Sequence, residues 1–277
     1  MDSVNPANPA TAAVEARYRD NTSVAAPWNP VLENLLAHRS VRAYLPTPVT
    51  EDELALIVAA ASSASTSSNL QAWSVVAVED QSRRNRLAAL AGNQQHICEA
   101  PLFLVWLADL SRLNAIGAAR GVKIEGTDYL ETFMVAIIDA SLAAQNAVVA
   151  LESIGLGSVY IGGIRNHPEK AAAELGLPPM VFPVFGLCIG HPDPSRPAAV
   201  KPRLPPPVVL HREQYDAAIQ PPSIAEYDTR LGGFQSEQNM PPEVWTERVT
   251  SRVRGPQSLS GRHRMREALA NLGFKIL

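Results

Sequence analysis

The sequence predicts a protein of mixed helix and sheet, on three observations. Short apolar runs bounded by turn signals, Trp73–Val78, Pro101–Ala108 and Phe182–Ile189, read as strands, the last two buried. A long Ala-rich run from Tyr129 to Ser153 is apolar almost all round and reads as a central helix packed on several sides. Between these runs lie shorter helices with start and stop signals of their own.

The chain has 277 residues, 46% of them hydrophobic, enough to bury a substantial core as one large domain or two. A net charge of -3 disfavours a nucleic-acid surface. Two cysteines, Cys98 and Cys188, lie far apart without a Cys-x-x-Cys, which fits a reducing compartment and no disulfide framework. No His-x-x-x-His or Cys/His spacing occurs, so no metal site is expected. Met1–Pro30 lacks the charged-then-apolar order of a signal peptide, and no apolar run approaches the roughly 20 residues of a membrane span. A soluble, cytoplasmic protein without nucleic-acid or membrane partners is expected.

Residues 1–30, rich in Ala, Asn and Pro, read as a loosely ordered arm with a turn of helix at Glu15–Tyr18. Asn29-Pro30 then starts a short helix through Ala37. His38-Arg39-Ser40-Val41-Arg42 follows. Its imidazole, hydroxyl and two guanidinium forks suit a phosphate monoester; a basic helix end complementing the macrodipole is the plainer reading. Pro46 and Pro48 enforce an extended stretch. Thr50 and Glu53 form a capping box for a helix through about Ala64, with Leu54, Ile57 and Val58 on its buried face.

Ser and Thr compete with helical hydrogen bonds, so the run Ser62–Ser68 should end that helix. It reads either as a flexible linker or as a loop pinned between helix and strand, where Asn69 and Gln71 add amides for a heteroaromatic edge. Gln81–Ala91 is a helix ending at Gly92, and Gly92–His96 a polar turn. A helix near Leu110–Arg120 follows, with Asp128 expected to cap the long helix and Gly155 to end it. That helix has more apolar surface than one sheet face covers, so it is expected to form much of a two-fold interface, Ala144 included.

Gly155-Leu-Gly-Ser-Val-Tyr-Ile-Gly-Gly163 has the wrong spacing and order for a dinucleotide fingerprint. Gly162 and Gly163 bare the backbone at a strand end, where a flat ring can approach; a structural bulge explains them equally well. Asn166 with Glu169 should cap the next helix, to Leu175. Seven of the sixteen residues from Pro192 to Pro207 are proline, a stiff connection. Within it, Lys201-Pro202-Arg203 either spaces two cations onto one anion or serves as a Pro-rich ligand. After Tyr215 the chain is polar and less patterned, with helices near Pro242–Arg254 and Gly261–Asn271 and a closing strand at Phe274–Leu277.

Seven motifs in one order then stand together: His38-Arg-Ser-x-Arg42, Ser65-Thr-Ser-Ser-x-Leu-Gln71, Gly92-x-Gln-x-His96, Ala144-Gln-Asn146, Gly155–Gly163, Phe185-Gly-Leu-Cys-x-Gly190 and Lys201-Pro-Arg-Leu-Pro205. Over residues 31–277 the chain resembles the nitroreductase-like FMN flavoprotein family, in its oxygen-insensitive NADPH nitroreductase and flavin reductase P branch. The resemblance implies an α+β, nitroreductase-like fold, a central mixed sheet flanked by helices in a single FMN-binding domain. It also implies an intertwined homodimer with two FMN molecules at its interface.

On that resemblance His38, Arg39, Ser40 and Arg42, with Lys201 and Arg203, would hold the FMN phosphate. Ser65, Ser67, Gln71 and Gln94 would line the isoalloxazine edge, and Tyr160, Ile161, Gly162 and Gly163 would set backbone against the ring. The implied activity is two-electron reduction of nitroaromatic or quinone acceptors by NADPH, with NADH as a second donor. Hydride passes through flavin N5, without a catalytic side chain. Asn69 would stand beside the acceptor. Arg262 would meet the nicotinamide 2'-phosphate, with weakened preference for NADPH because the loop that the resemblance implies at Leu231–Val244 carries no Lys or Arg. The alternatives are an NAD(P)H:flavin reductase supplying reduced flavin and a non-catalytic flavin-binding protein.

Overall fold

Apolar runs flanked by turn residues form strands where both faces can be covered, and here they build one four-strand sheet. In a computed structural model, which describes residues 8–277, the strands are β1 (Trp73–Val78), β2 (Leu102–Asp109), β3 (Gly157–Ile161) and β4 (Val181–Gly190), in the order β1-β2-β4-β3. Trp73 lies opposite Ala108, Leu102 opposite Ile189 and Gly157 opposite Gly190. Every strand pairing is antiparallel, which corrects the expected mixed sheet. Parallel pairing is reduced to one bridge, Ser40 to Ser158. The segment after Ser40 does not continue along β3: at Tyr44 it bridges Pro192 instead, antiparallel.

Contacts divide the chain into two compact units: Ser40–Pro197 with Leu259–Leu277, and the segment up to Arg39 with Ala198–Ser258. The first holds the sheet and α3 (Glu51–Ser62), α4 (Gln81–Leu90), α5 (Gln95–Glu99), α6 (Ser111–Ala119), α7 (Leu130–Ser153), α8 (Pro168–Leu175) and α12 (Met265–Asn271). The second holds α1 (Pro9–Tyr18), α2 (Pro30–Leu36), α9 (Pro206–Val209), α10 (Gln220–Glu237) and α11 (Trp245–Arg252).

In the sheet unit the expected capping box forms: Thr50 accepts from the Glu53 amide, and Glu53 accepts from the Thr50 amide at 2.7 Å. Small residues of α7, Ala143, Ala144 and Ala147, let it pack closely on Leu104 and Trp106 of β2 and on Ile57 of α3. Ala144 is therefore core within one chain, contrary to its expected place at an interface. What α7 leaves exposed is a stripe at every fourth position, Leu130, Met134, Ile138 and Leu142, neighbours on one face of a helix.

Several local expectations change. Among the described residues α7 is the one helix long and apolar enough to cross a membrane, where no such run was expected; its Ala-rich face is core of this fold. Asp128 leaves the α7 cap open and instead meets Lys275 at 2.6 Å. Asn166 and Glu169 likewise give α8 no side-chain cap; Glu169 accepts from Asn271 at 3.2 Å. Phe274–Leu277 is not a strand: Phe274 is buried against Phe133, and the Leu277 amide donates to the Asp128 carbonyl at 2.9 Å.

In the other unit, α1 is longer than the single turn expected at Glu15–Tyr18. Asn29 caps α2 as read, accepting from the Val31 and Leu32 amides. The segment Leu231–Val244 is a loop only in its second half. Tyr227, Leu231 and Phe234 recur at helical spacing and bury together, so α10 continues to Glu237.

Candidate functional site

The Ser-rich loop after α3 is pinned at both ends. Asp139, 1% exposed on α7, accepts hydrogen bonds from Thr66 Oγ1 at 2.6 Å, the Ala72 amide at 3.0 Å and the Ser67 amide at 3.3 Å. Arg112 on α6 donates to the carbonyls of Gln71 (2.9 Å) and Trp73 (3.1 Å) and to Ser74 Oγ (2.6 Å). Between these anchors Ser68, Asn69 and Gln71 take left-handed backbone angles, with φ of 47°, 55° and 49°. Such angles are costly for residues with a Cβ and persist only where the surroundings impose them. The side chains of Ser65, Ser67, Asn69 and Gln71 stand exposed. Burial disfavours the charge of Asp109 beside Arg112, yet hydrogen bonds from Ser74 and Ser111 hold its carboxyl below the usual range.

The second cluster forms where β3 ends. Ile161 is buried and Tyr160 packs edge-on against Phe185, centroids 5.1 Å apart. The chain then turns through Gly162–Asn166 as a 3₁₀ turn. A Cβ on Gly163 would lie 2.4 Å from the Ala91 carbonyl oxygen and 2.6 Å from Gln94 Nε2, so only glycine fits. Gln94 itself donates to that carbonyl at 2.8 Å. At Gly162 a Cβ would stand 3.5 Å from Arg165 Nη2 and 3.9 Å from Arg262 Nη1. Arg262 is brought there because Gly261, at φ 87°, passes so close to the Asn166 carbonyl that a Cβ would lie 2.8 Å from it. Arg165 is oriented by donating to the Val184 carbonyl.

Behind this turn, His96 Nε2 and Asn166 Oδ1 are buried without a hydrogen-bond partner among the described residues. Burial and the nearby charge of Arg42 both lower the His96 imidazole pKa.

The expected ring-edge set does not assemble in one chain. Gln94 belongs with Gly163, while Ser65, Ser67 and Gln71 lie where β1 begins. β1 and β3 are the two edges of the sheet, three inter-strand steps or about 14 Å apart. The expected phosphate set is likewise shared between the units: Ser40 and Arg42 lie in the sheet unit, His38, Arg39, Lys201 and Arg203 in the other. In the sheet unit the Val41 amide, between Ser40 and Arg42, donates to the Ser158 carbonyl at 2.8 Å. In the other, Lys201 and Arg203 open onto a cavity of about 580 Å³ that Tyr18, Tyr227 and Trp245 also line.

Sequence reasoning missed Asp139, Arg165 and Arg17. Only Asp139 had a readable signal, as an acid in the middle of an apolar helix. Arg165 and Arg17 sit among ordinary surface-type neighbours in the sequence.

Comparison with known proteins adds a common frame. The family model described as "Nitroreductase family" matches residues 35–191, and "Nitroreductase family, C-terminal domain" matches residues 201–276. The chain is similar to the NADPH-flavin oxidoreductase of Vibrio harveyi, 38% identical over 82% of this chain and 92% of that protein. It is also similar to the oxygen-insensitive NADPH nitroreductase of Salmonella typhimurium, 36% identical over 80% of this chain and 90% of that protein. A solved structure of the Vibrio harveyi NADPH:FMN oxidoreductase complexed with NAD+ superposes with a TM-score of 0.79 at 36% identity, covering 89% of this chain and 99% of that one.

Proposed function

The chain belongs to the nitroreductase family and is an oxidoreductase of that family, and from that premise we propose that it binds FMN and uses NADPH, with NADH as a second donor, to reduce nitroaromatic or quinone acceptors by two electrons. One observation carries the proposal: the side-chain-free backbone at Gly162–Gly163, ringed by the Gln94 amide and the Arg165 and Arg262 guanidinium groups. A bare strand end lets a flat ring lie against backbone, and amide and guanidinium groups supply donors to a heteroaromatic edge. The chemistry that bound FMN supplies is two-electron redox at N5.

The chain's own residues bind and orient. Arg42, Lys201 and Arg203 suit a phosphate carrying about two negative charges. Gln94, fixed by the Ala91 carbonyl, directs its remaining amide capacity to the ring edge. Arg262 faces the nicotinamide phosphate. Because Ser65, Ser67 and Gln71 lie at the opposite sheet edge, a second copy of the chain supplies them, and the site is complete only in a homodimer. The stripe Leu130, Met134, Ile138 and Leu142 supports that partner.

The decisive test is steady-state NADPH oxidation by purified protein with nitrofurazone, with free FMN and with neither. Turnover with nitrofurazone supports the proposal. Turnover with free FMN alone favours the flavin reductase reading, which similarity to the Vibrio harveyi NADPH-flavin oxidoreductase also supports. Flavin absorbance without turnover on either acceptor leaves a flavin-binding protein.

A further inference from the structure

Arg17 lies on α1, outside both segments that match the family, and is 7% exposed. A guanidinium is rarely buried unless its donors are used. Here Nη2 donates to the carbonyls of Leu36 and His38, both at 2.7 Å, and Nη1 to the carbonyl of Lys201 at 3.0 Å. The backbone of the same residue adds a fourth link, since the Arg203 amide donates to the Arg17 carbonyl at 3.1 Å. One planar fork therefore fixes the main chain of His38–Arg39 relative to that of Lys201–Arg203, segments 163 positions apart by their numbers (201 less 38).

The helix that carries this fork is itself fastened. Arg19 meets Glu237 of α10 at 2.6 Å and lies over the Phe234 ring, 5.1 Å from its centroid. Asp20 accepts from Arg230 at 3.2 Å. Thr11 and Val24 exchange two hydrogen bonds that fold the segment back on itself.

We infer that Arg17 is the positioning residue of the phosphate-binding set: it holds His38–Arg39 and Lys201–Arg203 at the separation that lets their side chains meet one phosphate. The inference rests on the reading that these residues hold the FMN phosphate. The three guanidinium bonds of Arg17 reach the two segments through carbonyl oxygens, so they fix main chain and do not themselves engage the side chains of Arg39 and Arg203. Pre-set spacing matters because each charge-assisted bond to phosphate needs its donor near 2.8 Å.

The test compares FMN with riboflavin, which has the same ring and no phosphate, by fluorescence titration of apoprotein. For Arg17→Ala the dissociation constant for FMN should rise about tenfold, about 1.4 kcal/mol, while that for riboflavin stays within about twofold. Arg17→Lys should recover part of the FMN affinity, since an ammonium can reach one or two of the carbonyls. An FMN constant unchanged in Arg17→Ala, or equal losses for FMN and riboflavin, overturns the inference; equal losses mean Arg17 is a general brace. Arg203→Ala keeps the underlying reading separate. If it weakens FMN selectively and Arg17→Ala does not, Arg17 alone is wrong; if it leaves FMN affinity intact, the phosphate reading falls and Arg17 with it. Should Arg17→Ala fail to fold, the FMN-to-riboflavin ratio in Arg17→Lys decides, with an unchanged ratio against the inference.

Discussion

The Ser65–Gln71 loop and the Gly162–Gly163 turn are the two segments proposed to meet the flavin ring, yet opposite devices hold them. The loop keeps its side chains and is forced into shape from outside, by a buried carboxylate on α7 and an arginine on α6. The turn discards its side chains, and close packing against the Ala91 carbonyl fixes it. Polar anchoring fails when one anchor is cut; steric anchoring fails when one atom is added. The two regions should therefore respond to different mutations and to different pH ranges.

The largest effect should come from separating the two copies proposed to bring these regions together. Ile138→Glu places a charge in the exposed α7 stripe, where pairing with a second copy would desolvate it at a cost of several kcal/mol. Sedimentation equilibrium should then show a folded monomer with weakened FMN binding; an intact dimer would remove the stripe from the interface. Next, Asp139→Ala leaves three loop donors without an acceptor and should cost about 3 kcal/mol or more in urea denaturation. Asp139→Asn keeps one oxygen and should cost less; equal costs would mean that charge rather than bonding holds the loop.

On the turn, Gly163→Ala should cost about 1–3 kcal/mol in the apoprotein, because its new methyl meets backbone. At Gly162 the nearest atoms are 3.5 Å away or more, so Gly162→Ala should be nearly neutral for folding while weakening FMN. Comparable melting temperatures for the two variants would show that close packing does not fix the turn.

Acid should separate the regions further. His96, behind the turn, has a lowered pKa, so the unfolded state takes up its proton first and stability falls as pH drops below about 6.5. Asp109, beside the loop, also has a lowered pKa, but its contribution is complete above about pH 4 and is lost only below that, as pH falls through its folded value. Hydrogen exchange should report loosening near Gly92–His96 first and near Trp73 later. His96→Gln should flatten the upper range and Asp109→Asn the lower; a single transition would contradict the division. The smallest effect belongs to Arg262→Ala, which should raise KM for NADPH a few-fold, roughly one lost phosphate contact, and leave KM for NADH nearly unchanged. Equal changes for both nucleotides would place the phosphate elsewhere.

The contrast also explains what could be read from sequence. Gly162 and Gly163 announce a bare backbone, and Thr50 with Glu53 announces a helix start, because each signal is local. The strands at 73, 102 and 181 were legible for the same reason, as apolar runs between turn residues. Gln94 and the Ser65–Gln71 loop were read as one set because only the β1-β2-β4-β3 order separates the two clusters, and strand order is a property of distant pairing. The first half of Leu231–Val244 is helix rather than loop because the stripe Tyr227, Leu231 and Phe234, which begins before that segment, carries α10 through Gly232 and Gly233 to Glu237. Arg17 was invisible because its partners are carbonyls, which every residue has.

The tie between Lys275 and Asp128, together with the bond from the Leu130 amide to the Leu277 carbonyl, has a consequence in time. The first turn of α7 lacks a side-chain cap, and the groups that steady it are made 147 positions later. At ~5–20 residues per second, synthesis takes roughly 7–30 s to reach them. Until they are made, the first turn of α7 lacks both contacts, and a chain ending before Lys275 should show faster hydrogen exchange at the amides of Leu130–Phe133 than the full chain.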